Sequence, residues 1–109
     1  YGLLHRLTTH RKPTAVFVAG EHLGLEATHI LQHVLSVRVP DEMSLIGMES
    51  PQVSQFIAPP LTTISQPLEE LAERALEVIL HQLQDGHEPQ RVVLGNRLIE
   101  RESVATLAP

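Results

Sequence analysis

The sequence predicts a three-layer α/β/α fold with a mainly parallel sheet, a single α/β lobe over residues 1–109. Three observations predict it. TAVFVAG (Thr14–Gly20) and MSLIGM (Met43–Met48) are short apolar runs rather than alternating ones, which is how strands covered on both faces read. The segment between them has apolar residues at helical spacing, so it can cross over as a helix. A second and stronger helical stripe follows in QPLEELAERALEVILHQLQDG.

The elements follow in order. YGLLHRLTTHRKP opens the chain as a helix, with Leu3, Leu4 and Leu7 on one face, basic residues near its end and Pro13 beyond. Its abrupt start, without an initiator methionine, is expected of a module cut from a longer chain. The first strand follows, with Phe17 expected in the core. A helix is predicted from about Glu21 to Leu35, its apolar face formed by Leu23, Ala27, Ile30, Leu31 and Val34. Pro40 breaks the chain before the second strand. These make a strand–helix–strand unit with parallel strands and a right-handed crossover.

Ser50–Pro60 holds at most one helical turn, ended by Pro59 and Pro60. LTTIS (Leu61–Ser65) is a short β-branched third strand. Pro67 suits the first turn of the next helix, and Glu69 and Glu70 sit where the helix dipole favours acids. Leu68, Leu71, Ala72, Ala75, Leu76, Ile79 and Leu83 are its expected buried stripe, and Gly86 its left-handed stop. RVVL (Arg91–Leu94) and RLIERESVA (Arg97–Ala105) read as a closing pair of strands, or a strand and a tail.

Composition narrows the function. An apolar content of 42% suits a folded domain rather than a disordered chain. No apolar run approaches the roughly 18 residues that span a bilayer, so no membrane contact is expected. Cysteine is absent, which excludes disulfides, thiolate metal sites and a cysteine nucleophile, and fits a reducing, cytoplasmic setting. The net charge is −5, there is one lysine, and the arginines are scattered. A surface that grips phosphates needs clustered cations, so this chain is not expected to touch nucleic acid itself.

In open parallel sheets, ligands bind beyond the carboxyl ends of the strands. That rule selects Gly20, Glu21 and His22 after the first strand, and Glu49 and Ser50 after the second. A carboxylate placed there can accept hydrogen bonds from a sugar, a nucleoside or another small polar metabolite. The plainer reading is that Glu21 and Glu49 favour the starts of the segments that follow them.

PTAVFVAGEHLGLEA, VRVPDEMSLIGMES, APPLTTISQPLEELAERALEVIL and the closing RLIERES together resemble the C-terminal subdomain of the effector-binding core of LacI/GalR-type transcriptional regulators. The match runs in order over nearly the whole chain. The resemblance implies one lobe of a periplasmic-binding-protein-like core, with effector held between two lobes and a DNA-binding head outside this chain. It implies an effector site at Gly20, Glu21, Glu49 and Gln66. It also shows departures. Where the family has Asn-Asp this chain has Gly20-Glu21, which removes a side chain that reaches effector. Where the family has Gly-aromatic-Asp-Asp it has Gly47-Met48-Glu49-Ser50, which keeps a carboxylate but lengthens it. An altered pocket is therefore expected.

His22, Glu26, His29 and His33 share one stripe of the first crossover helix. Histidines four apart can hold a metal, with Glu26 as a further ligand, but a polar helix face is ordinarily just solvated, and no metal is assigned. The resemblance implies another use. Leu25, His29, His33, Phe56 and Ile57 would face a second copy in a homodimer, whose two-fold axis sets each patch against itself. Protonated histidines would then repel, weakening the dimer below about pH 6.

The leading reading is thus an effector-sensing and dimerising lobe of a transcriptional regulator, without catalytic residues or cofactor. Partners are a small-molecule effector and a second copy, with DNA reached only through the missing N-terminal domain. One alternative is a lobe of a periplasmic sugar-binding protein. Another is a doubly wound enzyme using Glu21 and Glu49 as acid and base or as Mg²⁺ ligands. No serine elbow, phosphate-cradling loop or nucleophile set supports the enzyme.

Overall fold

The computed structural model describes residues 1–10, 12–85 and 88–108. Its elements are α1 (Gly2–His10), β1 (Ala15–Phe17), α2 (Glu21–His29), β2 (Ser44–Met48), β3 (Thr62–Ser65), α3 (Leu68–Asp85) and β4 (Arg97–Ile99). α2 runs on into a π-helical turn, Ile30–Val34. The chain divides into two compact units. One comprises Tyr1–Ser65 and the chain from Leu98 onward, and the other is Gln66–Arg97.

The first unit is built on a sheet of order β1-β2-β3-β4. β1 and β2 are parallel, pairing Ala15 with Ser44, Val16 with Leu45 and Phe17 with Ile46. β2 and β3 are also parallel, pairing Ile46 with Thr62, Gly47 with Thr63 and Met48 with Ile64. The Val18 amide donates to the Ile46 carbonyl at 2.9 Å and extends the first pairing toward the strand ends. Two parallel strands joined through a helix are what the apolar runs and the intervening stripe predict.

α2 packs on β2 at unusually short range. A Cβ on Gly24 would stand 3.4 Å from the Gly47 Cα and 3.2 Å from the Leu61 Cδ2, and a Cβ on Gly47 would meet that Cδ2 at 3.0 Å. Two glycines facing each other let helix and strand touch along their backbones. Around this contact lies the core of Ala27, Leu31, Val37, Val39, Met43, Leu45 and Leu61. Leu4 of α1, with Val16, Val18, Leu25, Leu35 and Ile57, packs against it.

The helix ends by backbone geometry rather than at the proline. The Leu35 amide bonds the Ile30 carbonyl at 2.9 Å, the Val37 amide bonds the Leu31 carbonyl at 2.7 Å, and Ser36 between them has φ 53°. A left-handed residue is the usual way to turn a chain off a helix end. Pro40 comes later, in the turn that leads to β2.

The segment after β4 ties the unit together. Ser103 is fully buried; its hydroxyl accepts from the Thr62 amide at 2.8 Å and donates to the Leu45 carbonyl at 2.5 Å. Its own carbonyl accepts from the Leu45 amide at 2.8 Å. One serine thus ties the segment to both β2 and β3. Ser54, also fully buried, closes the turn after β2, accepting from the Ser50 amide at 3.0 Å.

Several expectations are corrected. Phe17 is not in the core; it is 53% exposed, because β1 is the edge strand and only Val16 and Val18 turn toward the packed side. Leu23 and Val34 likewise stand exposed at the margins of the α2 stripe. RVVL forms no strand. The α3 stripe is formed but not buried: Leu68, Leu71, Leu76, Ile79 and Leu83 are all at least half exposed. The described part of the Gln66–Arg97 unit is one helix with an extended segment, too little to cover a full apolar face. Within it, an open groove of about 390 Å³ runs along Leu71, Val78 and Ile79 on one side and Val92 and Leu94 on the other. The predicted stop at Gly86 lies outside the described residues.

Candidate functional site

The parallel register carries β1 and β2 to a common carboxyl edge, where Gly20 and Glu21 follow one strand and Glu49 the other. Gly20 precedes α2 and makes no side-chain cap. A Cβ there would sit 2.9 Å from the Leu23 Cδ1, so Leu23 occupies the space a longer residue would need. Glu21 is exposed in the first turn of α2, where its charge complements the helix dipole.

Glu49 is different. Its side chain is only 7% exposed, and its amide donates to the Ile64 carbonyl at 2.9 Å. Arg101 grips the carboxylate with both terminal nitrogens, at 2.9 Å to Oε2 and 3.0 Å to Oε1. The Thr63 hydroxyl donates to Oε2. The Arg101 guanidinium also donates to the Leu61 carbonyl at 2.7 Å and the Thr63 hydroxyl at 3.1 Å. Its backbone amide donates to the Thr62 hydroxyl at 2.9 Å. Burial pushes the Glu49 carboxyl up. The hydrogen bonds from Arg101 and Thr63, with the guanidinium charge, outweigh it and hold the group below the ordinary carboxylate range.

This geometry sets what the carboxylate can do. Oε2 already accepts twice and Oε1 once, so one acceptor direction on Oε1 is left. Fork-to-fork pairing with an arginine also holds the group in one orientation. Sequence reading selected Glu49 and missed Arg101 and Thr63. The signal for Arg101 was only its place in the closing RLIERES segment.

Gln66 belongs to the Gln66–Arg97 unit, where it is exposed and lines the groove of that unit. The candidate dimer face lies wholly in the first unit. Leu25, His29, His33 and Ile57 line one open groove of about 280 Å³. The Gln32 Nε2 donates to the Ala58 carbonyl across it at 2.7 Å. Phe56, next in sequence, is 76% exposed. The His29 and His33 rings lie 5.1 Å apart, tilted by 39°. Among the described residues, no group of three or more His, Asp or Glu side chains converges to hold a metal ion. No described helix is long and apolar enough to cross a membrane.

The family model of the periplasmic binding protein-like domain matches residues 2–104. The transcriptional repressor PurR of Yersinia enterocolitica serotype O:8 / biotype 1B is 36% identical over 107 residues, covering 96% of this chain and 31% of the repressor. The chain thus spans less than a third of the length of that relative. The lac repressor dimer bound to operator and the anti-inducer ONPF matches with a TM-score of 0.83 at 25% identity, over 96% of this chain and 36% of that one. The complex of the transcriptional regulator CelR with cellobiose matches with a TM-score of 0.81 at 30% identity, over 93% of this chain and 30% of that one.

Proposed function

The chain belongs to the periplasmic binding protein-like domain family, in the form carried by LacI/GalR-type transcriptional regulators, and on that premise we propose that it senses an effector and dimerises within such a regulator. Its fold is the α/β/α arrangement with a mainly parallel sheet that the sequence predicts. The lobe works by binding, not catalysis, in the cytoplasm, and DNA is gripped by a head outside this chain.

The single observation that carries the reading is the parallel pairing that brings Gly20, Glu21 and Glu49 to one sheet edge. A small polar, sugar-like metabolite docks there, and the CelR–cellobiose neighbour favours that class. The remaining acceptor direction of Glu49 Oε1 takes one effector hydroxyl. Absence of a side chain at Gly20 leaves the effector one contact fewer on this lobe. A second copy docks on the groove of Leu25, His29, His33 and Ile57, with Phe56 beside it. The dimeric lac repressor among the neighbours supports that assembly.

Calorimetric titration of cellobiose and a set of small sugars into the regulator carrying this lobe tests the site. At least one should bind, and Glu49→Gln should weaken it by about tenfold or more, since a hydrogen bond to a charged group is worth about 1.5–3 kcal/mol. Equal affinity in the two proteins would remove Glu49 from the effector site.

A further inference from the structure

We propose that His29 and His33 are half of a metal site that a second copy completes, so that four imidazoles from two chains hold one Zn²⁺-class cation across the two-fold axis. The inference rests on the dimerisation reading above and deepens it.

His29 is the last residue of α2 and His33 lies in the π-helical turn that continues it. They are four positions apart, both exposed, with ring centroids 5.1 Å apart and planes splayed by 39°. Two histidines at this spacing on one helix face are the arrangement that zinc sites use. The local helix departs from α geometry here, since the Leu35 amide reaches back five residues to the Ile30 carbonyl. Such π turns occur often at functional positions.

One chain supplies too little. Zn²⁺ takes four ligands, and no third His, Asp or Glu joins the pair among the described residues, Glu26 included. The rest of the groove is poor in ligands: Leu25 and Ile57 are apolar, and the Gln32 amide is engaged with the Ala58 carbonyl. A two-fold dimer presents each surface patch to its own copy. With the His29–His33 pair set beside the two-fold axis, its own copy supplies the two missing ligands. An all-imidazole set suits zinc, copper or nickel, whereas magnesium and calcium require oxygen donors. The cation would therefore act as a clasp on the dimer.

Sedimentation equilibrium of the chain with zinc chloride, magnesium chloride or a chelator tests this, alongside calorimetric titration of zinc. Zinc should tighten the dimer by about tenfold or more. It should bind at about one ion per two chains, as four-coordination by two pairs requires. Both effects should vanish in His29→Ala and His33→Ala, persist in His22→Ala, and be absent with magnesium. The proposal is overturned if Ile57→Asp disrupts the dimer yet zinc and chelator leave its dissociation constant unchanged, or if zinc binds one per chain without tightening it. If Ile57→Asp leaves the dimer intact, the dimer face lies elsewhere, and the reading beneath the proposal fails with it.

Discussion

Arg101 and Glu49, 52 positions apart in sequence, form a two-pronged ion pair at 2.9 and 3.0 Å. The arginine side chain is 16% exposed and the glutamate 7%. The pair ties the segment after β4 to the carboxyl end of β2, and through Thr63 to β3. It is thus part of what shapes the sheet edge where effector is proposed to dock.

Breaking this pair from one side should be costly. Arg101→Ala leaves a carboxylate shielded from water with its charged partner gone, and removal of one member of a buried pair costs about 3–5 kcal/mol. Arg101→Lys keeps a charge but not the fork that meets both oxygens, so an intermediate loss is expected. Urea unfolding of the three proteins measures both. A loss of under about half a kcal/mol for the alanine variant would place the pair among ordinary surface contacts.

The same pair gives the acid response a direction. The Glu49 carboxyl is held below its ordinary range when folded, so the unfolded chain binds its proton more readily. Its contribution is fully present above the unfolded value of about 4.3 and is lost as pH falls through the lower folded value. Glu42 is also held down, to about 2, by the Lys12 side chain and then by the Arg38 amide and guanidinium. Glu42 pairs at the surface, where solvent screens the interaction, so it adds little. Between pH 5 and 2, at fixed salt, Arg101→Met should flatten the fall of unfolding free energy with acid, and Glu42→Gln should barely change it. The opposite ranking would show that the exposed cluster dominates.

Ser36 turns the chain off the π turn with φ 53°, in a region that disfavours residues with a Cβ. Ser36→Gly should remove that cost, although the freer unfolded chain offsets part of the gain. A net stabilisation of up to about 1 kcal/mol is expected. It would appear as a higher urea midpoint with an unchanged slope. A lower midpoint would mean that the serine contributes an interaction larger than its strain.

Three of the four strands and the three helices were legible because each carries a local signature: apolar runs at 15–17 and 44–48, a β-branched run at 62–65, and helical stripes elsewhere. Parallel pairing followed from the crossover helix. Glu49 was legible because a strand end is a position that can be counted. Arg101 was not, because no periodicity links it to a carboxylate 52 residues earlier. Serine roles were hidden for the same reason: Ser103 reads as a polar residue in a tail and proves to be fully buried between strands. The stripe of α3 shows the opposite limit. Periodicity announces an apolar face but does not say whether the same chain supplies its cover.

That limit leads to a paired test on two leucines. Leu31, on the π-helical turn, is fully buried in the core, so Leu31→Ala should cost about 2–5 kcal/mol, the range for emptying a packed site. Leu76 occupies the same kind of position in the stripe of α3 but is 57% exposed. In this chain Leu76→Ala removes little packing and places the best helix former in a helix, so a change within about half a kcal/mol is expected. In a longer protein that covers the α3 face, the cost of the Leu76 substitution should climb toward that of Leu31. Urea unfolding of both variants, in this chain and in the complete regulator, separates the cases. A large loss for Leu76→Ala in the chain alone would mean that the face is already packed in solution, for example against a second copy. A concentration-dependent midpoint would then identify that partner.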